Sequence, residues 1–184
     1  MTMTESTMRE LGSIAPDFDL PDTVSGRHKS FDDIAGNRAT VVMFICNHCP
    51  FVKHIVDGLA RFGRDYRGDA VGIAAISAND ADRFPADAPD KMQQLAEASG
   101  FDFPYLYDET QQTAKAYGAA CTPDFFVFDQ DRKLVYRGRF DAASPGNREP
   151  VTGSELRAAV NALLAGEPVD PDQKPSIGCN IKWK

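Results

Sequence analysis

The stretch Val41-Val42-Met43-Phe44-Ile45-Cys46-Asn47-His48-Cys49-Pro50-Phe51, VVMFICNHCPF, ends an apolar run in two cysteines three residues apart. From Thr40 to Ile45 the chain is β-branched and continuously apolar, which predicts a strand covered on both faces and so the centre of a sheet. Beyond Cys49, Phe51, Val52, Ile55, Val56, Leu59 and Phe62 recur at helical spacing, while Lys53, Asp57, Arg61 and Arg64 take the other side. Pro50 suits the opening turn of that helix. The two thiols therefore stand at the carboxyl end of a central strand, where chemistry collects in open α/β sheets.

Working outward, AVGIAAIS (Ala70 to Ser77) predicts a second buried strand. A helix from about Asp90 to Ser99 follows, turning Met92, Leu95 and Ala96 to the core and ending at Gly100. Thr110 to Tyr117 is a further short helix, stopped by Gly118. DFFVFD and KLVYRGRF, joined by Gln130-Asp131-Arg132, form an antiparallel pair. Gly153-Ser154-Glu155 opens an amphipathic helix through Leu156, Val160, Leu163 and Leu164, closed by Gly166. Upstream, the Pro, Gly and Asp residues between Ile14 and Ile34 suggest a hairpin-like lead-in. The order is β-α-β-α-α-β-β-α, and such an order implies a central mixed sheet with helices on both faces. Residues 1–12 are read as a flexible N-terminus, 13–184 as a single α/β domain, and 167–184 as its C-terminal tail.

A chain of 184 residues with 42% apolar residues can bury the core of one domain. The net charge of −7, without basic clusters interleaved with aromatics, argues against nucleic acid as a partner. No apolar run reaches the roughly 20 residues that span a bilayer, and the N-terminus has neither a basic start nor an apolar centre. A cytoplasmic location is expected, with no membrane partner. Four cysteines, at 46, 49, 121 and 179, are too few and too scattered for a disulfide framework, so they read as catalytic, metal-binding or buried. Asp82 to Pro89 is read as a solvated surface loop inserted after the second buried strand.

A thiol at a helix N-terminus meets partial positive charge and free N–H groups, so it ionises below the roughly 8.5 of a free cysteine. Cys-x-x-Cys spacing lets two sulfurs reach disulfide distance across one turn. One can attack and the other resolve. His48 stands beside Cys46 and could stabilise its thiolate; its other reading is a solvated loop histidine. His54 is read as facing solvent. Cys121 is either a sulfur opposite the dithiol or a small buried apolar residue. Cys179 is either a third redox sulfur, brought back by the tail, or an unreactive thiol. A competing class is a metal-binding module in which Cys46, His48, Cys49 and His54 or Cys121 hold zinc or copper(I). Adjacent His48 and Cys49 are poorly placed to share one ion, so redox chemistry ranks first and neither a metal nor another cofactor is called for.

The strand-Cys-x-x-Cys-Pro-helix unit, the segment GAACTPDFFV (Gly118 to Val127) and the strand-strand-helix ending resemble the thioredoxin superfamily. More closely, CNHCPFVKHI and the tail PSIGCNIKWK resemble its peroxiredoxin-like, AhpC/TSA-type branch, over about Ser13 to Lys184. The resemblance implies a thioredoxin-like fold with an N-terminal extension and a C-terminal tail. It implies a thiol-disulfide oxidoreductase that cycles a Cys46-Cys49 dithiol, with Cys46 attacking and Cys49 resolving. Asn47, His48 and Pro50 complete the motif, and Pro123, after Thr122, matches the cis-proline that the family places opposite the dithiol. The reductant implied is of thioredoxin or glutathione type, peroxides are further candidate substrates, and a homodimer stays open. Two departures stand out. Thioredoxins carry Trp before the first cysteine and Gly-Pro between the two, whereas Ile45 and Asn47-His48 stand here. In peroxiredoxins the peroxidatic cysteine would align with Cys49, with Thr or Ser three residues earlier and Pro four before that; here those positions are Cys46 and Val42. Arg139 is the candidate for the accompanying arginine. Thiol-dependent peroxidase activity through Cys49 is the alternative.

Overall fold

The computed structural model describes residues 2–184. Strand β1 (Met3–Glu5) precedes a hairpin of β2 (Asp19–Pro21) and β3 (His28–Ser30), and a single turn, α1 (Phe31–Ile34), leads into β4 (Ala39–Phe44). Then come α2 (Pro50–Asp65), β5 (Val71–Ser77), α3 (Pro89–Ser99), β6 (Tyr105–Tyr107) and α4 (Gln112–Tyr117). Strands β7 (Cys121–Thr122), β8 (Asp124–Asp129) and β9 (Leu134–Gly138), helix α5 (Ser154–Ala165) and β10 (Ile177–Asn180) complete the chain. Among the described residues no helix is long and apolar enough to cross a membrane.

The main sheet has the order β6-β5-β4-β8-β9. Strands β4, β5 and β6 are parallel, while β8 runs antiparallel to both β4 and β9. Strand β4 is thus central, as its apolar run implies, and all six of its residues are buried. Its alternate side chains serve opposite faces: Val41 and Met43 pack with Val52, Ile55, Leu59 and Phe62 of α2 and Leu156 and Val160 of α5. Val42 and Phe44 pack on the other side with Phe31, Tyr117 and Phe126. A fully buried large apolar side chain contributes on the order of 1.5–3 kcal/mol, so the α2 stripe fixes how that helix lies on the sheet.

The structure adds elements that the sequence pattern did not mark. Strand β6 extends the parallel half of the sheet, but it has only three residues after Pro104 and no continuous apolar run. The expected loose N-terminus contains β1, which pairs with β10 from the tail, and β10 in turn pairs with β7. This second, three-stranded sheet lies over the point where β4 meets α2. The segment read as a solvated loop carries a short 3-10 turn at Pro85–Asp87, and Asp87 is fully buried.

Candidate active site

Strand β4 ends at Phe44, yet Ile45 still donates its N–H to the Ile76 carbonyl at 3.0 Å before the chain turns out of the sheet. Cys49 is the N-cap residue of α2, and its carbonyl accepts from the amides of Val52 and Lys53 at 3.1 and 3.0 Å. A strand-to-helix corner at the end of an open sheet is ordinarily an exposed place, and an attacking sulfur such as the one implied at Cys46 needs access. Instead Cys46 is 1% and Cys49 0% exposed. The cause is the second sheet: β10 crosses the corner with Cys179 in register with Thr122.

Three sulfurs meet there. Cys49 Sγ lies 2.8 Å from Cys179 Sγ and 3.4 Å from the Thr122 carbonyl oxygen. Cys46 Sγ lies 3.5 Å from the Thr122 hydroxyl. The Thr122-Pro123 peptide is cis. The Cys49 thiol is pulled down to about 5, chiefly by the hydrogen bond from the Cys46 thiol, then by the Cys179 thiol and the Val52 amide, against the opposing effect of burial. Cys46 moves upward, because its proton is held by Cys49, because it is buried and because the Asp87 carboxylate is near. Cys179 is pushed up to about 12 by burial and by its hydrogen bond to Cys49. These directions favour the thiolate form at Cys49 and the thiol form at Cys46 and Cys179. The helix N-terminus acts on the second cysteine of the motif, since that is the residue that caps the helix.

The Asn47-His48 turn is held from below by Asp87. One carboxylate oxygen accepts from the Asn47 and His48 amides at 2.8 and 3.3 Å. The other accepts from Asn79 Nδ2 at 2.8 Å and contacts His48 Nδ1. His48 is stacked on Phe84, with ring centroids 5.7 Å apart and planes 5° from parallel. It is therefore a fixed, part-buried group and not a solvated loop histidine. Asn47 Oδ1 accepts from the Tyr105 hydroxyl at 2.9 Å, and Asn79 Oδ1 accepts from the Lys182 amide at 2.9 Å. Asp87, Asn79 and Tyr105 escaped the sequence reading. Each is distant in sequence from the dithiol and stands in no spacing that marks it. His54 is exposed. Pro50 occupies the first helical position.

Cys46, His48 and Asp87 offer three potential metal-ligand atoms within 4.8 Å of one another. Those atoms are already engaged: both Asp87 oxygens hold protein donors, His48 Nδ1 meets Asp87, and Cys46 meets Thr122. The donor set fits a hydrogen-bonded scaffold better than an ion. Cys121 is buried, with its Sγ 3.8 Å from the Pro123 carbonyl oxygen and 3.9 Å from that of Ser176. Burial pushes its pKa upward. Arg139 forms a two-pronged ion pair with Glu155, at 2.5 and 2.9 Å. It lines a groove of about 350 Å³ beside Pro123, whose walls include Met3, Phe51, Ile55 and Ile177.

The sequence profile of the AhpC/TSA family matches residues 11–137. The chain belongs to the AhpC/TSA family. It is 27% identical to the thiol-disulfide oxidoreductase ResA of Geobacillus thermodenitrificans over 131 residues, 71% of this chain and 70% of that one. The crystal structure of an uncharacterized conserved protein from Geobacillus kaustophilus is 54% identical and superposes with a TM-score of 0.98, covering 100% of this chain and 97% of the other. The peroxidoxin BcpB of Mycobacterium tuberculosis, 20% identical with a TM-score of 0.62 over 85% of this chain and 97% of its own, shares the fold. This AhpC/TSA protein thus has a thioredoxin-like fold, and it is an oxidoreductase acting on thiol and disulfide groups.

Proposed function

We propose that this AhpC/TSA protein exchanges a Cys46-Cys49 dithiol for a disulfide with external thiols and disulfides. The observation that carries the reading is the pair of sulfurs at the head of α2, with Cys49 the N-cap residue and both sulfurs against Thr122 of the cis-proline turn. In this scheme Cys49, not Cys46, attacks. Its thiolate bonds to one sulfur of an external disulfide, whose S–S bond breaks and releases one thiolate. Cys46 then gives up its proton and attacks Cys49 Sγ. The mixed disulfide breaks, a second external thiol leaves, and the Cys46-Cys49 bond remains. The external disulfide has been reduced and the protein oxidised by the same two electrons. A thioredoxin-type dithiol, or two molecules of glutathione that leave as their own disulfide, reverses the cycle, as in the reducing cytoplasm. The groove beside Pro123, whose walls include Phe51 and Ile55 of the helix that Cys49 caps, offers a surface for the substrate chain.

Burial of both sulfurs favours a second reading, because a hydroperoxide is small enough to reach a site that a folded protein disulfide is not. Cys49 thiolate would take one peroxide oxygen, becoming a sulfenic acid as water or an alcohol leaves, and Cys46 would close the disulfide with loss of water. Against this, Cys46 replaces the activating hydroxyl, and Arg139 is bound to Glu155.

The test is the oxidation of wild type, Cys46→Ser and Cys49→Ser by oxidised glutathione and, separately, by hydrogen peroxide, followed by alkylation and disulfide mapping. Rapid formation of a Cys46-Cys49 bond with oxidised glutathione, lost in Cys49→Ser, is expected. Oxidation by peroxide alone selects the second reading. A wild type that forms no Cys46-Cys49 bond with either oxidant sinks both.

A further inference from the structure

We propose that Cys179 is a second disulfide partner of Cys49, so that the site contains three exchangeable sulfurs. This inference rests on the exchange reading above. Cys49 Sγ and Cys179 Sγ are 2.8 Å apart, against about 2.05 Å for the bond itself, so closure needs less than about an ångström of movement. Both sulfurs are buried.

The chain is built to keep Cys179 there. Gly178 lets β10 lie against the cis-proline turn: a Cβ at that position would stand 1.9 Å from the Thr122 carbonyl oxygen and 2.7 Å from its carbon. The Ser176 hydroxyl donates to the Pro123 carbonyl oxygen, and the Ser176 amide donates to the Ser6 hydroxyl at 2.8 Å. Past the cysteine, the Lys182 amide donates to Asn79, which also holds Asp87. Both flanks of Cys179 are thus tied to the loops that carry Thr122 and Asn47. Cys121, by contrast, packs on backbone carbonyls and serves as an internal control.

Starting from the Cys46-Cys49 disulfide, Cys179 attacks Cys49 Sγ. The Cys46-Cys49 bond breaks, its electron pair leaves with Cys46, and Cys46 takes up the proton that Cys179 releases. No electrons enter or leave in this step, and one disulfide replaces another. Net oxidation of either pair comes from the external disulfide of the first cycle. Moving the bond to Cys49-Cys179 frees the Cys46 thiol and fastens β10 covalently to the head of α2.

The experiment treats Cys46→Ser and the double variant Cys46→Ser/Cys179→Ser with oxidised glutathione, alkylates the remaining thiols after denaturation, and maps the peptides. Cys46→Ser should lose labelling at Cys49 and Cys179 together and yield the linked peptide, with Cys121 still labelled. The double variant should carry glutathione on Cys49. If Cys46→Ser also carries glutathione on Cys49 while Cys179 stays labelled, the proposal is overturned. Should circular dichroism show that Cys46→Ser does not fold, the wild type is equilibrated in a glutathione redox buffer and both linkages are sought. Finding the Cys49-Cys179 peptide beside Cys46-Cys49 supports the proposal, and finding Cys46-Cys49 alone overturns it. A wild type lacking the Cys46-Cys49 bond is a failure of the exchange reading, and is seen separately.

Discussion

Cys49 owes its ionisation to donors that converge on one sulfur: the Cys46 thiol first, then the Cys179 thiol and the Val52 amide. A buried thiolate without them would revert to thiol, since burial alone raises a cysteine pKa. The ultraviolet absorbance of the reduced protein should therefore show a thiolate that titrates near pH 5 and disappears in Cys49→Ser. Cys46→Ala removes the largest stabilising donor, so the midpoint should move up, each unit of movement being worth about 1.36 kcal/mol. The same titration surviving in Cys49→Ser would place the thiolate on another sulfur. At this scale the sequence was informative wherever the chemistry is local. Cys-x-x-Cys before a Pro-initiated amphipathic helix announces a dithiol at a helix head. Which of the two sulfurs ionises was not legible, because it depends first on how the Cys46 and Cys49 side chains turn toward each other, and then on Asp87 and Cys179, which reach the site from 38 or more residues away.

Among the elements, β10 decides what the site can meet. It pairs with β1 on one side and β7 on the other, and it places Cys179 opposite Thr122. Its approach depends on Gly178, where the absence of a side chain lets two backbones come together. Gly178→Ala should push β10 off the cis-proline turn and cost about 1–3 kcal/mol, the usual range for overpacking a tight interior. Urea unfolding measures that loss, and the alkylation rate of Cys49 should rise as the cover lifts. Wild-type stability and an unchanged rate in Gly178→Ala would mean that the strand does not depend on this approach. The main sheet was readable because β4, β5, β8 and β9 are long enough to show an apolar run or a hairpin spacing. Strands β1, β6, β7 and β10 have two to four residues each. They exist through long-range pairing, and no local pattern records it.

The whole molecule carries two buried groups whose pH effects oppose each other. Asp124, just after the cis-proline, is fully buried, with one oxygen accepting from the Ser6 hydroxyl at 2.9 Å and the other without a partner. Burial pushes its carboxyl up to about 8, against 3.8 for the ordinary group. Between those values the native state keeps a proton that the unfolded chain has lost, so Asp124 makes stability fall as pH rises through that window. Cys49 acts in the reverse sense. Its pKa of about 5 lies below the 9.0 of an unperturbed thiol, so between pH 5 and 9 the unfolded chain binds the extra proton and stability rises with pH. From pH 5 to 8 the two slopes, each at most about 1.4 kcal/mol per pH unit for one proton, offset one another in the reduced wild type. Each variant should expose the slope of the group it leaves behind. Relative to wild type, Asp124→Asn should gain stability progressively from pH 5 to 8, because the amide can still accept from Ser6 and carries no charge to bury. Cys49→Ser should lose stability over the same range. Urea denaturation of the three reduced proteins across that range measures both differences. Three parallel curves would mean that neither group holds its shifted proton in the folded state, and with that the thiolate assigned to Cys49 would fail as well.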